Sequence, residues 1–225
     1  MKNNTLKYFV LALVVILLDQ GIKLYVHATV EMGIGGQIKV IGNWLKIHYI
    51  LNPGMAFGMQ IEHKYGKLFL TVFRIVAIVL ISRYLLQLAK KESTPASLLW
   101  GFSLILGGAI GNGIDSTFYG VLLNNAPSDA VTPWFHGQVI DMFYIDIWEG
   151  FLPRWIPFIG DSFIVLWPIF NLADTSIFIG VAIMLIGHKR TSSDIKDKIL
   201  TPMQNASNIA PSRREMQGAN KFAGG

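Results

Sequence analysis

The sequence predicts a membrane α-helical protein with four membrane-spanning helices and a short β-hairpin between the first and second. Three observations predict it. Charged residues make up 15% of the 225-residue chain, well below the roughly 25% of an average soluble domain. Hydrophobic residues make up 52% and mean hydropathy is +0.45, which suits a surface that faces lipid. The apolar residues also gather into runs long enough to supply the about 20 helical residues that a hydrocarbon core requires. A formal net charge of +5 does not point to nucleic acid, because the basic residues cap the apolar runs instead of sharing one polar face. The chain has no cysteine, so a disulfide framework, a thiolate metal site and a cysteine nucleophile are all excluded.

The first span covers about 6–27, its apolar run starting at Tyr8 after Lys2 and Lys7. It is too long for a signal-peptide core, is followed by no small-x-small cleavage pattern, and keeps Asp19 and Lys23. It therefore reads as a retained helix. Ile38 to Ile41, the pair Gly42-Asn43, and Trp44 to Tyr49 predict two strands around a two-residue turn, lying on the membrane surface. Further spans are expected at 67–89, 97–119 and 165–188. Pro168 sits near the start of the last, where a missing N–H is harmless. Lys90 and Lys91 follow the second span, and Lys189 and Arg190 follow the fourth. By the positive-inside rule both termini and the 90–96 loop are cytoplasmic, and the loops 28–66 and 120–164 lie outside. The second of these carries Asp129, Asp141, Asp146, Glu149 and Asp161 against a single Arg154. Trp134, Phe135, Trp148, Phe151, Trp155 and Phe158, with Trp167 just beyond, suit the headgroup level. Residues 1–190 are expected to form one membrane domain, and the polar stretch 191–225 a disordered cytoplasmic tail.

Ionisable and polar groups inside spans are costly, so each raises a functional question. Asp19 and Lys23 are four apart on one helix face and predict a structural ion pair. Asn52-Pro53-Gly54-Met55-Ala56-Phe57-Gly58 predicts a tight turn that exposes backbone. Gly107, Gly108 and Gly111 permit close approach of another helix, and Asn112 and Asp115 share a face beyond them. Arg83 is expected to snorkel. Arg74 lies deeper, and an internal carboxylate such as Asp115 is its expected partner. Asn171 and Asp174 leave one face of the fourth span, with no Lys or Arg before Lys189 to neutralise the acid. That carboxyl must find a partner elsewhere or stay protonated. Val139-Ile140-Asp141-Met142-Phe143 sets a second acid in an apolar loop stretch able to reach the same depth. Two carboxyls in a partly dry site share one proton, which is how aspartic proteases hold an acid and a base about one water. Spacing alone leaves that reading open beside an ion path lined by Asp174, Asp19 and Lys23. His48, His63, His136 and His188 are scattered, so no metal site is expected.

Five blocks occur in order: Asp19-Gln20-x-x-Lys23, Asn52-x-Gly54-x-Ala56-Phe57-Gly58, Gly107-Gly108-Ala109-x-Gly111-Asn112-x-x-Asp115, Val139-x-Asp141, and Phe170-Asn171-x-Ala173-Asp174. The set resembles the signature blocks of the lipoprotein signal peptidases (signal peptidase II) over about residues 8–188. The resemblance implies four transmembrane helices with an extracytoplasmic β-cradle in a bacterial inner membrane. It implies an aspartic endopeptidase, acting as a monomer without metal or cofactor, that removes signal peptides from diacylglyceryl-modified prolipoproteins. Cleavage falls just before the lipidated cysteine. The implied partners are lipid-modified prolipoproteins and membrane lipid, with no nucleic acid. Asp141 and Asp174 match the catalytic pair. Asn52, Gly54, Gly108, Asn112, Asn171 and Ala173 match positions that shape or contact the substrate site, and Asp115, Asp19 and Lys23 match supporting ones. One departure stands out: the family has arginine directly after the third-block aspartate, and this chain has Ser116. The 117–138 stretch is also longer than usual. Arg74 or Arg154 is expected to supply the missing positive charge.

Overall fold

The structure, a computed structural model, describes residues 5–54, 65–156, 160–165 and 167–187, with the backbone alone at 163–165. Met55, Ala56, Phe57 and Gly58 of the second block lie outside the described residues. So do Lys2, His63, Phe158, His188, Lys189, Arg190 and the 191–225 tail. The chain forms two compact units, Met1–Ile183 and Met184–Gly225. Among the described residues every strand and helix belongs to the first unit, apart from the last residues of one helix.

Three helices are long and apolar enough to cross a membrane: α1 (Leu6–Thr29), α2 (Gly66–Ala89) and α3 (Ala96–Leu122). A shorter apolar helix, α4 (Leu172–Gly187), completes the set. The first three match the spans predicted from the sequence to within three residues. In lipid a long apolar run has little choice, because only a helix satisfies its backbone N–H and C=O groups internally. Leu13 and Leu17 of α1 and Phe69, Phe73 and Leu80 of α2 are exposed, as expected of surfaces made for lipid.

The fourth span differs from expectation: helix begins at Leu172, not near 165. The run ahead of it is used as strand. Phe163–Val165 (β5) pairs with Glu149–Phe151 (β4), and Phe170 exchanges backbone hydrogen bonds with Phe143, at 2.8 and 3.1 Å. Apolar character alone does not separate a short strand from the start of a helix.

The predicted hairpin is present. Gly42 turns at φ +52° between β1 (Ile38–Ile41) and β2 (Leu45–Asn52). A third strand, β3 (Val139–Ile145), completes an antiparallel sheet in the order β1-β2-β3. Here the expectation of a loop-borne Asp141 is corrected, since Asp141 lies within β3 opposite Ile50. Most of β3 is buried, so the polar–apolar alternation that announces a half-exposed strand is missing from its sequence. Tyr49, Ile140 and Met142 pack with Val26 of α1, with Val30 just beyond its end, and with Tyr119 of α3, which seats the sheet on the helix ends. The glycines of α3 work as predicted. A Cβ on Gly107 would fall 2.9 Å from the Ala12 carbonyl oxygen of α1, and one on Gly108 would fall 2.3 Å from that of Ala173 on α4.

Candidate active site

Two strand positions and two helix positions bring the polar residues together. Antiparallel register sets Asn52, at the end of β2, against Val139, and from there Asn52 Nδ2 donates to Asp141 Oδ2 at 2.8 Å. Asn52 Oδ1 accepts the Gly54 N–H at 2.7 Å, a turn that Gly54 permits at φ +95°. Asn171 stands just before α4 and caps it, its Oδ1 accepting the Asp174 N–H at 2.9 Å. That leaves Asn171 Nδ2 to donate to Asp141 Oδ1 at 2.6 Å and to Asn112 Oδ1 at 3.1 Å. Asn112 Nδ2 in turn donates to Asp174 Oδ1 at 2.8 Å. The two aspartates are thus joined through two asparagine amides, each presenting N–H to a carboxylate.

Asp141 is 1% exposed. Burial, and then the charge of Asp174, push its carboxyl up to about 7, against the opposing pull of the Asn52 and Asn171 amides and of Lys23. The Asp141 carboxyl therefore keeps its proton into the neutral range.

Behind it lies a second polar layer. Lys23 is fully buried and its ammonium meets three acceptors: Asp19 Oδ2 and Asp115 Oδ2, both at 2.8 Å, and Asn112 Oδ1 at 2.9 Å. An ammonium has no lone pair, so this contact fixes which end of the Asn112 amide faces Asp174. The two acids reach the site as well. Asp19 Oδ1 accepts the N–H of Ala173, the residue before Asp174, at 2.9 Å. Asp115 Oδ2 accepts the N–H of Ile140, the residue before Asp141, at 3.2 Å. The predicted ion pair is thus one half of a triad that holds the backbone just ahead of each aspartate.

One expectation is corrected and one open choice is narrowed. Asp115 does not pair with Arg74; its carboxylate is taken up by Lys23 and by Gln20 Nε2, at 2.9 Å. The next residue on α3 lies about 100° further round the helix, and it is Ser116 Oγ that accepts from Arg74 Nη1, at 2.6 Å. Of the two arginines expected to supply positive charge, Arg154 is bound to Asp161 at 3.0 Å and is 88% exposed. Arg74 is the one at the site. Gln20, quoted only as part of the first block, and Tyr119 were given no role. Gln20 Oε1 accepts from the Tyr119 hydroxyl at 2.8 Å, and the available signal was the cost of an amide inside an apolar span. Among the described residues no cluster of three or more His, Cys, Asp or Glu side chains is placed to hold a metal ion.

The family model for signal peptidase (SPase) II matches residues 11–189. This chain belongs to that family. The lipoprotein signal peptidase of Amoebophilus asiaticus is 45% identical over 216 residues, covering 96% of this chain and 92% of its own length. That of Porphyromonas gingivalis is 41% identical over 219 residues, covering 92% and 94%. A solved structure described as a bacterial membrane enzyme, determined by the in meso method at 2.3 Å resolution, superposes with a TM-score of 0.55. It is 25% identical and covers 84% of this chain and 90% of its own. Signal peptidase II is an aspartic peptidase, so the ion-path reading left open by spacing is set aside. The long apolar helices agree with a membrane peptidase.

Proposed function

We propose that Asp141 and Asp174 are the catalytic pair of a membrane endopeptidase that removes signal peptides from diacylglyceryl-modified prolipoproteins, cutting before the lipidated cysteine. The observation that carries the proposal is the amide bridge: Asn171 binds Asp141 and Asn112, and Asn112 binds Asp174. The ionised carboxylate takes a proton from water as the water oxygen attacks the scissile carbonyl carbon. The protonated partner donates to the carbonyl oxygen. When the tetrahedral intermediate collapses, the carboxyl that took the water proton gives it to the departing amine, a hydroxyl of the intermediate returns a proton to the other carboxylate, and the pair is back in its starting state. An Asp141 carboxyl pushed up to about 7 supports one retained proton at neutral pH. Asn52 and the Gly54 turn border the pair and are suited to receive the substrate backbone.

In this reading the signal peptide approaches sideways from the bilayer and the diacylglyceryl chains stay in lipid. The peptidase works as a monomer in the bacterial inner membrane, with both termini cytoplasmic and the site at the outer face. Residues 1–190 form the catalytic domain and 191–225 a cytoplasmic tail. The basic Lys90-Lys91 loop, set against the acidic 120–164 loop, supports that orientation.

The test is processing of a lipidated precursor by purified protein in detergent. Asp141→Asn and Asp174→Asn proteins are expected to fold and to yield no product above background. Normal cleavage by either one overturns the assignment.

A further inference from the structure

Lys67 and Arg74 stand seven residues apart on α2 and so share a helix face. Both reach the peptide after Asn52. Lys67 Nζ donates to the Pro53 carbonyl at 2.7 Å, and Arg74 Nη2 donates to the Gly54 carbonyl at 3.1 Å. Arg74 Nη1 holds Ser116 on the other side. Ser116 belongs to a π-helical turn of α3, Asp115–Tyr119, a widening often found at functional sites. The Ser116 and Thr117 carbonyls accept the N–H groups of Gly137 and Phe135 at 3.0 and 3.1 Å. Thr71 of α2 donates to the Phe135 carbonyl at 2.8 Å, so the unusually long 117–138 segment clasps the turn against α2. The guanidinium is thereby locked in place by neutral oxygens.

Its charge is not spent locally. Among the described residues no carboxylate comes within ion-pair distance of Arg74. The acids whose charges act on it are Asp174 of α4 most strongly, then Asp115 of α3, then Asp141 of β3. Asp115 is matched by Lys23 of α1, and Lys67 is the neighbouring cation on α2. That leaves the aspartate pair, which Arg74 reaches through Gly54 and Asn52 to Asp141 and through Ser116 and Asn112 to Asp174.

We propose that Arg74 is a positioning residue of this reaction: from α2 it supplies the positive potential that holds the Asp141–Asp174 pair at one shared proton, and its bond to the Gly54 carbonyl anchors the turn bordering the pair. The inference rests on the proposed catalytic pair. It also gives Ser116 a role, as the small residue that receives the guanidinium.

The experiment compares Arg74→Gln, Arg74→Lys, Arg74→Ala and Arg74→Ala/Ser116→Arg proteins. Each is checked for folding by thermal unfolding in detergent and assayed on a diacylglyceryl-modified precursor peptide across pH. Losing the cation makes ionisation of both acids harder, so the acid limb moves to higher pH. For Arg74→Gln, kcat is expected to fall about tenfold or more, and the acid limb to move up by about half a pH unit or more. Arg74→Lys keeps the charge but lacks the forked reach to hold both Ser116 and the Gly54 carbonyl, so its limb stays in place while KM rises. The double variant returns the charge to the vacated space and recovers rate and limb position relative to Arg74→Ala. An Arg74→Gln enzyme with wild-type kcat and an unmoved limb overturns the inference. So does an Arg74→Lys limb displaced as far as that of Arg74→Gln, or a folded double variant no better than Arg74→Ala. Should Arg74→Gln not fold, the lysine and double variants decide. Asp141→Asn assayed alongside separates the two failures: if it cleaves normally, the catalytic pair is wrong, and if it is dead while Arg74→Gln is unaffected, only this inference is.

Discussion

Replacing Lys23 by methionine keeps most of the length of the side chain and removes one ammonium from between two carboxylates. The distances, 2.8 Å to Asp19 and 2.8 Å to Asp115, show a cation serving both acids, and all three side chains are fully buried. Removing one partner of a buried ion pair costs about 3–5 kcal/mol, because the other charge stays desolvated and unpaired. Here two like charges are stranded together, so the upper part of that range applies, moderated only if one acid takes up a proton. For a chain of this size each kcal/mol moves the melting midpoint by roughly 2–4 °C, so a loss of about 4–5 kcal/mol should lower it by roughly 8–20 °C. Activity of the folded fraction should fall too, because the Asn112 amide loses the contact that fixes its orientation toward Asp174. The assay is thermal unfolding in detergent of the wild type, Lys23→Met, and Lys23→Met/Asp19→Asn. The double variant should recover a substantial part of the loss, since an asparagine at position 19 removes one stranded charge and keeps an oxygen for the Ala173 N–H. A Lys23→Met protein melting within about 2 °C of wild type would refute the reasoning, since the buried acids would then not depend on the ammonium.

Other outcomes rest on the same geometry. With Asp141 pushed up to about 7, cleavage should fall as pH rises through that value and the pair loses its shared proton. The stability share of this raised carboxyl is fully present below the ordinary value of 3.8 and is lost as pH rises from there through about 7, so the melting midpoint should fall across that window and level off above it. Asn52→Ala removes a donor that favours the charged form of Asp141, so the alkaline limb of the pH–rate profile should move up, by about half a unit or more. Gly108→Ala would place a Cβ 2.3 Å from the Ala173 carbonyl oxygen. It should push α4 and Asp174 off α3 and lower kcat by about tenfold or more, since small displacements of reacting groups are costly. Wild-type turnover by that variant would show that the α3–α4 approach does not set the site.

By itself the sequence determined the elements whose physics is local. Apolar runs of about 20 residues leave no option in lipid but helix, which is why α1, α2 and α3 were legible almost to the residue. Gly42-Asn43 between two apolar stretches announced the hairpin, and a spacing of four announced the Asp19–Lys23 pair. Asp141 and Asp174 stood out as acids in apolar surroundings, but spacing alone left a protease pair and an ion path both open, and only the resemblance to the family singled out the pair. Only the tertiary structure decided what each polar group touches. Asn52 meets Asp141 across 89 residues of sequence, and Asp19 meets the Ala173 N–H across 154. The same holds for β3, a strand because β2 pairs with it, for the late start of α4, where Phe170 is drawn into a bridge with Phe143, and for Arg74, which found Ser116 and not Asp115. Hydrophobic periodicity reports which side of an element is buried, whereas a hydrogen bond depends on which neighbour arrives there and at what angle, and that is a property of the assembled fold.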